Sequence, residues 1–361
     1  MGALITASAL APGRRRVTDR AVHVYTGLAQ QVREVGLLRR ARGFYLALGA
    51  GLLLGLGGAV TGFVLLDHSW LQLLIAGAFG VLFTQVAFLG HEASHRQVLS
   101  SGKGNDRVGW WLAVALVGIS YSWWMDKHTR HHGNPNRIGK DPDIEVDTVS
   151  FIAEDAAASR GLLRWITRHQ GLFFVPLLLL EGLNLHAKSV RSLWRTRTQP
   201  GRRVELAVLA GRFVVVLTVV FASLPLGMAF AFLGVQLAVF GLYMGASFAP
   251  NHIGMAVVPR EEKLDFFSKQ VRTSRNVSGG WWATALMGGL NYQIEHHLFP
   301  SMARPHLAAA RRLVREHCRA HDVAYTETNL VSAWGIVLRY MNQVGLSARH
   351  SFSCPALASL R

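Results

Sequence analysis

The residues best suited to chemistry in this sequence are histidines in three short clusters. The first is His91-Glu92-Ala93-Ser94-His95, the second His128-Thr129-Arg130-His131-His132, and the third Gln293-Ile294-Glu295-His296-His297. Residues three and four apart share a helix face. His91 and His95 therefore project together, and His128 reaches the same region as His131 or His132. Gln293 repeats that geometry against His296 and His297. A further candidate, His252, stands in Pro250-Asn251-His252. Imidazole suits iron, zinc, copper and nickel. Seven clustered histidines exceed what one tetrahedral zinc takes, so two metals fit the count better. Few carboxylates accompany them, unlike the carboxylate-bridged di-iron bundles of soluble proteins.

Plainer roles stand beside these. A lone HxxxH often only packs or hydrogen-bonds, but HxxHH together with QxxHH is much rarer by accident. His252 could simply cap a helix end, with Asn251 as its neighbour in the candidate set. Glu92 and Glu295 are candidates to hydrogen-bond ligand imidazoles, or else ordinary helix-solvating residues. Gln293 has an amide oxygen, a weaker ligand than imidazole. It could ligate loosely, hold a metal-bound water, or be a satisfied helix amide. His23, His68, His169, His186, His306, His317, His321 and His350 stand singly and read as surface or packing residues.

The elements that must position these clusters read as membrane helices. Two apolar runs, Phe44 to Leu66 and Trp70 to Gly90, are each about 20 residues, enough to cross roughly 30 Å of hydrocarbon. Only Asp67, His68 and Ser69 separate them, so they form a hairpin. Leu206 to Leu224 and Leu226 to Ala249 form a second hairpin, turning at Pro225. Arg212 inside the third run is costly unless it snorkels or pairs. Two shorter stretches, Trp110 to Ile119 and Leu172 to Leu185, read as interfacial or re-entrant helices, the latter interrupted by Pro176, Glu181 and Asn184.

Basic residues set the orientation. Of 38 Lys and Arg, eight precede the first span, sixteen lie between Arg96 and Arg203, and thirteen follow Pro250. Segments 1–43, 91–205 and 250–361 are therefore expected on the cytoplasmic side. A metal site shared by the middle and C-terminal segments needs an even number of crossings between them. The fold class is an all-α membrane protein with four transmembrane helices in two hairpins. A cytoplasmic helical cap holds the metal site, and residues 1–361 form a single domain.

Composition agrees with this class. Half the residues are apolar and only 16 % are charged, yet the formal net charge is +17. Soluble domains carry about 25 % charged residues. The basicity fits segments facing anionic membrane lipid, and no nucleic-acid motif is present. Arg14, Arg15 and Arg16 follow the first apolar residues rather than precede them, unlike a secretory signal. Cys318 and Cys354 make neither a CxxC motif nor a disulfide framework. Trp123, Trp124, Trp281 and Trp282 could line an apolar slot, although the membrane interface suits tryptophan better. Residues 305–320 and 329–344 read as amphipathic tail helices.

Three other functions compete at this point. His91-Glu92-Ala93-Ser94-His95 also matches the HExxH of zinc metalloproteases, with the glutamate as base, but that leaves both HH pairs unexplained. A di-iron hydroxylase or ketolase of another lipid shares the metal logic. A non-enzymatic metal-binding or transport protein would place its ligands near mid-membrane, whereas here they follow the spans.

From about Phe44 onward the sequence resembles the membrane fatty acid desaturases, whose hallmark is three histidine boxes in this order. Trp123-Trp124-Met125-Asp126-Lys127, Asn134-Pro135-Asn136, Asp141-Pro142-Asp143 and Gly289-Leu290-Asn291-Tyr292 are similar to bacterial acyl-CoA and acyl-lipid desaturases. The Gln293 form of box three resembles the front-end branch. Many front-end enzymes carry a fused cytochrome b5 domain with His-Pro-Gly-Gly, a motif not found here. The resemblance implies two iron ions held by His91, His95, His128, His131, His132, His296 and His297, with His252 as an extra ligand and O2 as co-substrate. It implies acyl-CoA or acyl-lipid as substrate and a bacterial cell membrane as location. Without a haem motif, a cysteine cluster or a GxGxxG unit, electrons are expected from an external ferredoxin or cytochrome b5-like protein with its reductase.

Overall fold

The computed structural model describes residues 24–348. Arg14, Arg15, Arg16, His23, His350 and Cys354, and with them the placement of both chain ends, lie outside the described residues. The structure is mostly helical. After a helix over 24–34 (α1) come α2 (Arg42–Leu65), α3 (Gln72–Ser94) and α4 (Gly102–Trp110), the last running on as a π-helical turn, Trp111–Val117. Then follow α5 (Tyr121–Gly133), α6 (Ala153–Ala158), α7 (Gly161–Arg168), α8 (Gln170–Arg195), α9 (Arg202–Ser223) and α10 (Leu226–His252). The C-terminal third holds α11 (Phe266–Arg272), α12 (Gly280–Leu286), α13 (Gln293–Leu298), α14 (Arg304–Ala320) and α15 (Leu330–Ser347). The departures from an all-α chain among the described residues are a parallel pair, β1 (Asn276–Ser278) beside β2 (Glu327–Asn329), and a single parallel bridge between Arg137 and Val258.

Among the described residues five helices are long and apolar enough to cross a membrane: α2, α3, α8, α9 and α10. Both expected hairpins are present, α2–α3 and α9–α10. Along α2 and α9 large apolar side chains such as Leu46, Leu53, Leu54, Val214 and Val215 stand exposed, as they do when the solvent is hydrocarbon rather than water. The chain is a multi-pass membrane protein.

One expectation changes here. Leu172 to Leu185 is not a short separate helix. It is the first part of α8, a continuous 26-residue helix that carries Pro176 in its second turn. Its missing N–H removes one i→i−4 bond, to the Leu172 carbonyl, yet the helix continues past it. Beyond Leu185 the helix continues as a polar stretch that hydropathy alone passes over. Trp110 to Ile119 joins α4 and α5 through a 116° bend, the shape of a broken span or a re-entrant loop. That bend also settles Arg212. Its Nε donates to the Leu116 carbonyl at 3.1 Å, at the end of the π-turn, and its guanidinium lies over the Phe83 and Phe213 rings.

α10 is the central post, packed against both α3 and α8. The approach to α8 depends on glycine. A Cβ on Gly182 would lie 2.4 Å from the Leu237 carbonyl oxygen, and one on Gly241 would lie 2.3 Å from the Gly182 nitrogen. Small residues let apolar helices approach to backbone contact where the hydrophobic effect gives little drive. The shorter helices α4 to α7 and α11 to α15 gather at the end of α3 and α10 that carries His91 and His252.

Candidate metal centre

Four pieces of chain deliver the eight histidines. His91 lies in the last turn of α3 and His95 follows as its C-cap; His252 is the final residue of α10. The helix therefore runs three residues past the expected end of its span, carrying His252 on its last turn rather than beyond it. Box two lies on α5. There the Ser120 Oγ accepts from Trp123 N at 3.1 Å, and the buried Glu205 carboxylate accepts from the Ser122 N–H and hydroxyl at 3.2 and 2.7 Å. Both contacts satisfy donors that a helix start leaves open. Box three is the short, wholly buried α13. It is reached through Gly288 and Gly289, both at positive φ (59° and 84°). Side chains there would strike Phe88 of α3 and Arg304 of α14, so glycine lets box three reach α3.

The imidazoles form two groups. His91, His95, His128, His132 and His296 make one, and His131, His252 and His297 the other. Within each, one nitrogen per ring lies within 4.8 Å of all the others. Each HH pair is divided between them, because adjacent residues on a helix point about 100° apart. In box two the i,i+4 partners His128 and His132 enter the first group and His131 the second. In box three His296 enters the first, while His297 and Gln293, also i,i+4, enter the second. The Gln293 amide lies 2.8 Å from His252 Nε2, and its oxygen accepts from Asn251 Nδ2 at 3.2 Å.

The rings of the second group are held from behind. His131 Nδ1 donates to Asp141 (3.0 Å), His252 Nδ1 to the Thr273 carbonyl (2.9 Å) and His297 Nδ1 to Gln270 Oε1 (2.9 Å). A ring that donates from Nδ1 carries its lone pair on Nε2, the atom a metal would take; in His252 that lone pair accepts from Gln293 Nε2 at 2.8 Å. In the first group the Nε2 atoms of His91 and His95 converge on His128 Nε2, at 3.1 and 2.7 Å. The Nε2 atoms of His132, His296 and His297 are buried with no hydrogen-bond partner among the described residues. Buried polar atoms without partners are rare and costly, and a metal is the partner this donor set fits. Burial, reinforced by neighbouring imidazoles, holds His296 and His297 well below the usual histidine range, and burial alone takes His95 to about 3. All three are neutral at pH 7, as ligation requires.

The carboxylates inside the boxes are used differently from the expectation. Glu92 does not face an imidazole. It forms a buried ion pair with Arg304 (2.7 and 2.6 Å), and Tyr45 also donates to it. Nor does Glu295, which takes Asn276 Nδ2 at 2.6 Å and the Tyr325 hydroxyl at 2.9 Å, fastening α13 to β1. Their partners lie far away in sequence, so no local pattern could reveal them. The imidazole-holding carboxylate is Asp141, fully buried and also accepting from the Asn136 and Asp143 amides. Asp141-Pro142-Asp143 stood out only as a resemblance, without a chemical reason. Gln270 and Arg275 gave no signal at all. The buried Arg275 donates to the Pro250 and Ile253 carbonyls, fixing the end of α10 where His252 sits.

A cavity of about 610 Å3 opens beside the histidines, within the roughly 300–1,000 Å3 usual for small-molecule sites. His91, His128, His131, His252 and His296 line one part. Trp123, Trp124, Phe174, Leu178, Met244 and Phe248 make its apolar walls. Trp124 stacks on the His128 ring at 4.8 Å. These two tryptophans thus belong to the slot rather than the membrane interface, whereas Trp281 and Trp282 are exposed. Much of one wall is α8. The exposed Glu145 and Asp147 and the half-buried Lys188 also line it.

Residues 68–329 match the family model described as fatty acid desaturase. The chain is 26 % identical over 309 residues to a Delta(8)-fatty-acid desaturase of Helianthus annuus, covering 81 % of this chain and 67 % of the relative. It is 28 % identical over 305 residues to an acyl-lipid (9-3)-desaturase of Borago officinalis, with 81 % and 68 % covered. A Delta(6)-fatty-acid desaturase of Caenorhabditis elegans is 27 % identical over 274 residues, with 72 % and 62 % covered. With its paired imidazole groups beside an apolar slot, the chain belongs to the fatty acid desaturase family, oxidoreductases that place a double bond in a fatty acyl chain.

Proposed function

We propose that the two imidazole groups each hold one iron and that an acyl chain, as acyl-lipid or acyl-CoA, lies in the slot with the methylenes to be desaturated beside them. The observation that carries this reading is the pair of converging imidazole groups, in which the buried Nε2 atoms of His132, His296 and His297 have no hydrogen-bond partner among the described residues, beside an apolar cavity lined by five of the eight histidines. His91, His95, His128, His132 and His296 would hold one iron; His131, His252 and His297 the other, with the Gln293 amide and its Asn251 partner completing that side. Bound iron supplies the redox chemistry for O2. In the balanced reaction one O2, two hydrogens from adjacent methylenes, two protons and two further electrons give a carbon–carbon double bond and two waters. The last two electrons come from outside the substrate, and we assign them to a separate one-electron carrier protein.

The protein's own part is positioning. Asp141, Gln270 and the Thr273 carbonyl hold their rings with Nε2 presented. Trp123, Trp124 and the α8 wall exclude water and align the chain. Glu92 speaks against a zinc protease, because its carboxylate is committed to Arg304 and cannot serve as a base.

A membrane order follows from the same site. His131 and His252 share a group, so the chain between them crosses the membrane an even number of times. α8, α9 and α10 are three candidates, so one does not cross. α8 is the one lined with Glu181, Asn184 and Lys188 along the cavity, which favours its lying on the cytoplasmic side with box two. α2, α3, α9 and α10 are then the four crossings, and the metal site faces the cytoplasm.

The test is expression in a host that lacks the product, with lipid profiling and metal analysis of anaerobically purified protein. We expect a new unsaturated acyl species and about two irons per chain. One stoichiometric zinc in active protein would overturn the assignment.

A further inference from the structure

Between the α5 and α8 walls the slot is lined by an irregular segment that is held in two different ways. Its ends are fixed. At one end Asp143 pairs with Lys127, lies 3.2 Å from His131 Nδ1 and donates its amide to Asp141 at 2.9 Å, and Ile144 beside it is buried. At the other end the buried Gln170 accepts from the Ser150 amide at 3.0 Å and donates to the Ser150 carbonyl at 2.8 Å, while Val149 packs with Phe174 and Leu178.

The four residues between these ends, Glu145, Val146, Asp147 and Thr148, are all exposed, although Glu145, Asp147 and Thr148 also line the slot. Among the described residues their backbone makes one hydrogen bond, from the Asp147 amide to the Val149 carbonyl at 3.5 Å, and none to another element. Two ion pairs fasten them instead. Glu145 accepts from Arg130 of α5 at 3.0 Å, and Asp147 pairs with Lys188 of α8. The four side chains are 40 to 53 % exposed, and ion pairs so open to water hold weakly. The segment thus crosses the slot from one helical wall to the other, with firm ends and a loosely tied middle. Local opening belongs to parts of a protein with few packed contacts and few backbone bonds, and a lid has this build.

We propose that residues 145–148 are a strap across the slot: the acyl chain enters side-on when the Arg130–Glu145 and Asp147–Lys188 pairs part, and is held when they re-form. This rests on the desaturase reading of the slot. The closed strap then limits how fast a bound chain leaves.

The test measures release of parinaroyl-CoA, whose polyene fluoresces in an apolar slot, from the iron-loaded protein in phosphatidylcholine nanodiscs. Oxygen and reductant are left out, so no turnover occurs. In Glu145→Gln/Asp147→Asn, release should quicken about fivefold or more. Charge alone predicts the opposite sign, because removing two carboxylates favours an anionic probe. The exchanged pair Asp147→Lys/Lys188→Asp keeps the net charge and the fastening, and its release should stay within about twofold of wild type. Unchanged or slower release in the neutral variant would overturn the proposal, as would an exchanged pair that releases as fast as the neutral one. No fluorescence rise in the wild-type protein, with either parinaroyl-CoA or parinaroyl-phosphatidylcholine, would overturn the desaturase reading of the slot and the strap with it.

Discussion

The two imidazole groups are built on opposite plans. In the three-histidine group every ring is tied at Nδ1 to a fixed acceptor: Asp141, the Thr273 carbonyl or Gln270. In the five-histidine group no such tie is found among the described residues. There the rings come in from three elements and hold one another, His91 and His95 against His128. Few ligands need outside orientation, while many ligands can orient each other through the metal they share. The smaller group should therefore depend on its supports, and the larger on its number of rings.

The most drastic way to break this comparison is to remove one ring from each side. His296→Ala and His297→Ala alter neighbouring residues in different groups. Either should abolish turnover, and iron should fall from about two to about one per chain. The retained iron should differ in its spectrum between the two variants, because the surviving group differs. Identical spectra would show that the two groups act as a single undivided site.

A smaller effect is expected from the support beneath His131. Asp141→Asn keeps the shape but weakens the acceptor for Nδ1–H. Loss of such a partner costs about 10- to 100-fold in metal affinity or activity, and here the loss should fall on one iron only. Equal loss of both irons, measured by titration with a chelator, would contradict independent support.

The smallest effect concerns Gln293, where the second group has an amide in the place that box two gives to His128. Gln293→Leu removes the polar contact to His252 and leaves Asn251 Nδ2 without that acceptor, a cost of roughly 1–3 kcal/mol. Activity should drop about tenfold or more, and Gln293→His should retain more of it, restoring the box-two pattern. Near-normal turnover in Gln293→Leu, with both irons bound, would make the position a plain helix amide.

What was legible in the sequence follows from the range of each interaction. The boxes are i,i+3 and i,i+4 patterns, so their geometry is local, and both hairpins follow from hydropathy. The division of each HH pair is implicit in the helix period, although its consequence appears only when three elements meet. α8 was cut short because Glu181, Asn184 and the polar residues beyond Leu185 end its apolar run. It is continuous because Gly182 and Gly241 let it press against α10, a tertiary contact. Asp141 sits in a loop, where periodicity gives no reason to single out a carboxylate. Glu92 was read by its neighbours, yet its partner stands 212 residues downstream.

That long separation bears on how the protein is made. Glu92 enters the growing structure with the first hairpin, but Arg304 is synthesised only after both hairpins have emerged from the ribosome. Until α14 docks, the carboxylate must stay hydrated or keep its proton, since an uncompensated buried charge costs roughly 3–5 kcal/mol. The arrival of Arg304 lets that end of α3 dehydrate. Biogenesis thus has a built-in order: the membrane helices insert first, α14 then closes over the end of α3, and only after that is a dry cage ready for loading.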